Sequence, residues 1–484
     1  MTAAEAATGR TVTTSVPARL DRLPWSGWHW RIVFGLGTVW ILDGLEVTVV
    51  GNIASRLSEP GSGLPITSGE VTGVAAALYV AGACSGALFW GRLTDRHGRR
   101  KLFMITLGLY LAATALTAIS FSTWWFFLFR FLTGFGIGGE YAAINSAIDE
   151  LIPAYYRGRV DLLINGSFWL GAVGGSLLSI VALNTDLLPA DIGWRLTFAL
   201  GAVLALVILL VRRHVPESPR WLLIHGRERE AERIVAAIER RVTEERGEPL
   251  PEPHGELVIR QRRDIGFREI ARTVLHDYRS RAVLGFALFI GQAFLYNAIT
   301  FGFGAILTTF FDIPADRTGY YFVVIAAGNF LGPLLLGKLF DTVGRRVMIS
   351  STYLLSGLLL FGTAWLFDRG ALDASTLTAC WCAVLFFASA GASSAYLTVS
   401  EIFPMETRAL CIAFFYALGT AAGGISGPLL FAELTGTGRV ADTVLAFQVG
   451  AGLMCAAGLV AAVLAVPAQR RALEDIARPL TAAD

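Results

Sequence analysis

Polar and apolar positions along this chain fall into long blocks. They do not follow the short alternation of a sheet protein or the amphipathic period of soluble helices. Twelve mostly apolar runs stand out, approximately at 32–54, 71–90, 102–120, 123–148, 161–183, 194–212, 282–309, 318–337, 347–366, 376–400, 408–431 and 442–466. A helix that crosses a bilayer needs about 20 such residues, so each run predicts one spanning helix. The links are short except for 213–281, which follows the sixth run and divides the chain into two groups of six. The pattern predicts an all-α membrane protein of twelve transmembrane helices in two pseudo-symmetric six-helix halves. Its parts are a tail over 1–31, a half over 32–212, a central segment over 213–281, a half over 282–466 and a tail over 467–484.

The halves also repeat in detail. Gly91-Arg92-Leu93-Thr94-Asp95-Arg96-His97-Gly98-Arg99-Arg100 shares its frame with Gly337-Lys338-Leu339-Phe340-Asp341-Thr342-Val343-Gly344-Arg345-Arg346. Glu150, Pro153 and Arg157 recur as Glu401, Pro404 and Arg408. Two independent motifs with similar displacement, each between apolar runs, point to a duplicated unit.

Composition agrees: the chain is 54% hydrophobic and 16% charged, against about 25% charge in soluble domains. A net charge of +2 does not suggest a nucleic-acid partner. Charge placement sets orientation. With an even number of spans both tails share a side, and that side carries 34 of the 40 Lys and Arg. The positive-inside rule makes it cytoplasmic, which predicts a multi-pass cytoplasmic-membrane protein with both termini inside. The first thirty residues lack the apolar core of a cleavable signal, so the first run serves as its own insertion signal. Trp25, Trp28 and Trp30 read as an interfacial anchor before it. In the central segment, Glu228 to Arg241 predicts an amphipathic helix ended by Pro249, Pro251 and Pro253, and a second short helix is expected from Phe267 to His276. The five cysteines lie in apolar runs and read as small hydrophobes; no metal site or cofactor is expected.

Charges inside the spans are functional candidates by default, because an ionisable group in hydrocarbon is costly. Asp43 and Glu46 are three apart on one helix face. Counted at about 1.5 Å per residue, Glu46 lies roughly 12 Å and Arg130 roughly 10 Å below the outer ends of their helices, so the two can pair. Glu140 lies roughly 15 Å further inward than Arg130 and cannot share that pair. Protonation of Glu46 would release Arg130, which couples a proton to a conformational equilibrium. Asp95 with Arg99 and Arg100, and Asp341 with Arg345 and Arg346, stand at helix ends where they can latch one helix to another. The glycines Gly134, Gly138, Gly171, Gly174 and Gly175 suit close helix packing.

On these motifs the chain resembles the major facilitator superfamily. The Gly-x3-Asp-x2-Gly-Arg-Arg loop is that superfamily's signature. Arg130 with Gly134, Gly136 and Gly138, Glu150-x2-Pro153-x3-Arg157, Pro216 to Leu222, Gln292, Asn297 and Glu401-x2-Pro404-x3-Arg408 resemble its sugar-porter branch. Asp43-Gly44-Leu45-Glu46 and Gly138-Gly139-Glu140 are similar to elements of organic-acid and metabolite–proton symporters. The resemblance implies the major facilitator fold and latches that close the cytoplasmic side, with Glu150–Arg157 and Glu401–Arg408 completing them. It also implies a substrate site that includes Gln292 and Asn297, with Asn165 and Trp169 near a substrate-contacting position. Tyr296, Asn329, Tyr396 and Tyr416 are candidates by position, Asn329 and Tyr416 more simply as helix–helix hydrogen bonds. The sugar-porter pattern is interrupted at Gly291-Gln292, over Ala388 to Thr398 and over Val466 to Arg470.

The expected function is secondary active transport of a small polar organic solute, first an organic carboxylate, by proton symport and alternating access. The partners are the solute, protons and the lipid bilayer, and the protein is expected to be monomeric. Alternatives are a sugar or polyol transporter, an organic cation transporter, and a ligand sensor of the same fold, which the short tails disfavour. An enzyme is not expected, since Ser, His and Asp do not cluster within the spans.

Overall fold

A computed structural model describes residues 11–57, 61–67, 70–182, 187–212, 217–253, 255–260, 272–313, 317–404 and 407–477; a few side chains within these ranges, Asp95 among them, lie outside the description. Twelve long helices appear among these residues. The first six are α1 (Gly27–Leu57), α2 (Ala76–His97), α3 (Arg99–Ala118), α4 (Thr123–Leu151), α5 (Arg157–Ala182) and α6 (Ala190–Arg212). The second six are α7 (Arg279–Phe311), α8 (Thr318–Thr342), α9 (Arg345–Asp368), α10 (Ala374–Ile402), α11 (Arg408–Gly436) and α12 (Val440–Leu464). Ten are apolar and long enough to cross a membrane; in α2 and α4, glycines, tryptophans and the motif charges dilute the apolar content. The outer faces carry exposed residues such as Val203, Val207, Leu335, Leu358 and Val463, the surface that lipid covers.

Each signature loop is a tight turn between two helices. Gly98 (φ +94°) and Gly344 (φ +118°) supply the left-handed backbone that lets α2 turn into α3 and α8 into α9, a conformation that costs a side-chain-bearing residue energy. Close packing uses glycine differently. A Cβ on Gly134 or Gly138 would overlap a backbone carbonyl of α2, and one on Gly171 a carbonyl of α1. Gly174 differs, because only a Leu45 methyl comes near it. The two halves meet along α5 and α8 and along α2 and α11. Pro333 of α8 presses on Gly166 of α5, where a Cβ would approach the ring to 2.7 Å.

Several local expectations change. The first helix begins at Gly27, so Trp28 and Trp30 lie within it; Trp28 is buried and only Trp30 is exposed. A π-helical turn over Glu70–Ala75 precedes α2. The amphipathic helix runs Glu228–Arg246 and is ended by Gly247 in the left-handed conformation, ahead of the prolines; the glycine caps the last carbonyls before proline geometry is needed. Much of the second short helix expected there lies outside the described residues, and Thr273–Asp277 forms a π-helical turn. Outside the spans, Thr11–Thr14 pairs antiparallel with Leu257–Arg260, tying the first tail to the central segment. The Val16–Asp21 helix reinforces this tie, since Arg19 and Arg22 both pair with Glu239 at 2.5 Å.

Candidate functional site

Two layers of polar side chains interrupt the apolar interior. The first lies inside the first half. Arg130 Nη1 donates to Glu46 Oε1 at 2.5 Å, and both residues are at most 3% exposed. Thr114 Oγ1 donates to the other Glu46 oxygen at 3.1 Å. The Arg130 guanidinium also stands 4.6 Å over the Tyr79 ring. Asp43, one turn before Glu46, is fully buried and accepts from Tyr79 and Tyr141 hydroxyls at 2.5 Å each. Tyr79 thus touches both carboxylate sites. Glu140 is separate, accepting from Thr106 on α3.

Around Asp43 the lining is aromatic. Trp40 stacks on Tyr141 (centroids 4.6 Å apart, 9° between planes), and Tyr396 and Tyr416 of the second half pack edge-on against this pair. Trp40 Nε1 is buried without a hydrogen-bond partner among the described residues. A neighbouring cluster crosses the halves through Trp169 against Tyr296, whose hydroxyl donates to Asn329 at 2.9 Å. Phe289, Gln292 and Tyr296 follow at spacings of three and four on α7, so they share one face. Phe289 packs on Tyr396 and Tyr296 on Trp169, which puts Gln292, buried, between the two aromatic groups. Two expected lining residues are engaged elsewhere. Asn165 donates to Asn145 at 2.9 Å. Asn297 donates to the Ala293 carbonyl at 2.7 Å and lies against Gly424 of α11.

The second layer lies at the end of the bundle that carries both tails. Within each half the motif repeats its pairing: Arg99 with Glu150, and Arg345 with Glu401 at 2.9 Å. The expected Glu150–Arg157 and Glu401–Arg408 pairs are replaced by an exchange. Arg157 reaches across to Glu401 at 3.9 Å, and Arg408 reaches across to Glu150 at 3.8 Å. Each glutamate already holds the motif arginine of its own half, so the second arginine serves the other half. Asp149 stands between Arg157 (3.9 Å) and Arg408 (3.7 Å). Asp341 pairs with Arg345 at 3.0 Å and accepts the Gly158 and Arg159 backbone N–H groups at 2.9 and 2.8 Å. That backbone belongs to the start of α5, so Asp341 also spans the halves.

Other motif arginines do different work. Arg346 donates to the carbonyls of Ala462 and Val463 near the end of α12, where a cation suits the helix dipole. The backbone N–H of Arg100, with that of Arg99, is held by Glu217. The Asp95 side chain lies outside the described residues.

Three partners in this layer come from outside the spans and carry no repeat in the sequence. Asp21 of the first tail faces Arg157 (3.4 Å) and Arg220 (3.5 Å), and Arg220 pairs with Glu474 of the second tail at 3.0 Å. Burial pushes the Asp21 carboxyl up against the pull of Arg220 and Arg157. For Glu474 burial also acts upward, but Arg220 outweighs it and the carboxyl sits below its ordinary value.

A family model described as "Sugar (and other) transporter" matches residues 39–480. The chain belongs to that family. It is 26% identical over 419 residues to the niacin transporter NiaP of Acinetobacter baylyi, covering 86% of this chain and 90% of that protein. It is 25% identical to organic cation/carnitine transporter 7 of Arabidopsis thaliana, covering 85% and 87%. The proton:xylose symporter XylE, of the major facilitator superfamily, superposes with a TM-score of 0.75 at 19% identity, covering 92% of this chain and 98% of that one. The protein is therefore a multi-pass membrane transporter of small molecules with the major facilitator fold, and not an enzyme.

Proposed function

We propose that the protein is a proton symporter of the cytoplasmic membrane that carries a small organic carboxylate by alternating access. The observation that carries this is the buried Glu46–Arg130 pair beside the aromatic chamber. Arg keeps its charge, and a buried arginine that loses its partner seeks another. A proton on Glu46 frees the guanidinium, and a substrate carboxylate is the natural replacement. Proton and anion then enter together, so the buried layer stays close to neutral through the cycle. Trp40, Tyr141 and Tyr396 offer faces to a flat organic body, with Gln292 as a polar contact. Similarity to a niacin transporter over most of the chain supports an aromatic or heteroaromatic acid.

The charge bias of the short loops makes the tail-bearing end cytoplasmic. The exchanged ion pairs hold that end closed, Asp341 with Arg345 and Glu401 among them, and Asp95, Arg99 and Arg100 belong to the same latch. They release when substrate and proton are bound.

An organic cation is the second reading, favoured by Asp43 inside an aromatic surround and by similarity to the organic cation/carnitine transporter. The test is uptake into proteoliposomes with an imposed pH gradient, using nicotinate, carnitine and xylose as probes. Nicotinate accumulation that needs an acid exterior supports the proposal. Carnitine accumulation moves the substrate site to Asp43. Xylose uptake indifferent to pH makes the protein a sugar facilitator.

A further inference from the structure

Asp161 of α5 takes no part in the latch just described. It is fully buried, and neither of its carboxylate oxygens meets a well-aligned hydrogen-bond donor among the described residues. Its own helix brings the Asn165 amide near the carboxylate, but that amide also donates to Asn145 and to the Asp161 backbone carbonyl. The charged groups that act on it are Asp149 from α4, Glu401 from α10 and Arg345 from α9, with the Tyr396 hydroxyl further along α10. Two of those three charges are acids. Arg345 is already held by Glu401 and Asp341 at 2.9 and 3.0 Å. Among the described residues, six arginines of this layer, Arg159 at its edge included, face seven carboxylates when Asp21, Asp161 and Glu474 are counted. Burial away from water and surplus negative charge nearby both favour the neutral acid over the carboxylate anion.

The repeat isolates this acid. Shifted by the interval that separates Glu150 from Glu401, Asp161 falls on Ile412, which is buried. The latch in the second half is built without an acid there, so Asp161 is an addition to the duplicated frame.

We propose that Asp161 is a second proton-binding site, which holds a proton while the tail-bearing end is closed and releases it when the halves part and water enters. The carboxylic acid O–H breaks on opening and the proton passes to the entering water; on closing, the carboxylate takes one back. Closing is then favoured by acid and opening by alkali on that side. This rests on the proposed transport cycle for its meaning, but not on substrate identity or on symport through Glu46.

The test uses the purified full chain in two measurements. Infrared difference spectroscopy reads protonated carboxyl groups directly. The wild type at neutral pH is expected to show a protonated-carboxyl band that disappears in Asp161→Asn. An unchanged band in that variant overturns the proposal. The second measurement is the distance between spin labels at Lys101→Cys and Val347→Cys, both exposed near the start of α3 and α9, in a cysteine-free background. Raising pH is expected to lengthen the distance in the wild type, and Asp161→Asn and Asp161→Leu should hold the short distance at every pH. The leucine variant mimics the counterpart in the other half and guards against misfolding of the first. Equal pH dependence in wild type and both variants removes Asp161 from the gate, whatever transport assays show for Glu46.

Discussion

The two six-helix halves share a frame and differ in what they bury. With the interval from Glu150 to Glu401 as register, Arg130 falls on Trp381, Glu140 on Gly391, Asp149 on Ser400 and Asp161 on Ile412. Every buried charge of α4 and α5 that lies off the repeated motif therefore has a neutral or apolar counterpart. The second half contributes Gln292, Tyr296, Asn329, Tyr396 and Tyr416 to the interior, and keeps Asp341, Arg345, Glu401 and Arg408 at the tail-bearing end. Duplication supplies a symmetric set of ion pairs, in which each half lends an arginine to the other. Asymmetric substitution then puts titratable chemistry on one side and neutral contacts on the other. In the proposed cycle a proton biases one half while substrate bridges both.

The largest effect should come from removing the asymmetry. Arg130→Ala leaves the Glu46 carboxylate buried without its cation, a loss of about 3–5 kcal/mol, and should abolish uptake. Glu46→Gln should lose accumulation driven by a pH gradient yet keep exchange of labelled for unlabelled substrate, because exchange moves no net proton. Accumulation at the wild-type level in Glu46→Gln would transfer the coupling role to Asp43, where Asp43→Asn is the matching measurement.

Next in size is the exchange between halves. Arg408→Ala strips the cation that Asp149 and Glu150 share. It should lower stability in detergent by about 3 kcal/mol and open the tail-bearing end to thiol reagents at reporter cysteines. Stability loss without added accessibility would mean that the pairs support folding and do not close the gate. Gly158→Ala is a gentler probe of the same seam, since its Cβ would overlap Arg345 and Asp341. About 1–3 kcal/mol of strain should shift the protein toward the open end with substrate affinity little changed.

On the neutral side, Gln292→Ala should weaken substrate binding about tenfold, the worth of one hydrogen bond in a dry site. Binding left unchanged in a folded variant would make Gln292 a packing residue. The smallest effect is a pH response outside the membrane. Burial pushes the Glu239 carboxyl up, but its bonds to Arg19 and Arg22 outweigh that and hold it below the ordinary value. Its contribution to docking the first tail is present above the free carboxylate range and is lost as pH falls through the lowered value. Hydrogen exchange over residues 11–22 should therefore stay slow at neutral pH and quicken only in acid. Equal protection in Glu239→Gln at neutral pH would dismiss the pair as incidental.

The sequence by itself determined the twelve helices, their grouping in sixes and the repeated charged motif, because hydrocarbon admits almost no polar backbone and leaves a long apolar signal for every span. It also made the depth of Glu46 and Arg130 comparable, since helical rise is regular. Partner choice was decided only by tertiary structure. Glu150 and Arg157 stand seven residues apart across a turn, and nothing local says that the arginine reaches to Glu401 in the other half. Tyr79 and Tyr141 became the partners of Asp43 only once α1, α2 and α4 were packed together. Asp21, Arg220 and Glu474 lie in polar segments where charge is ordinary, and their burial follows from the tails and central segment closing over the end of the bundle. Asp161 reads in sequence as one acid at a helix start. Its isolation exists only where two halves press together and exclude water, because the energy of a charge depends on the surroundings that folding builds around it.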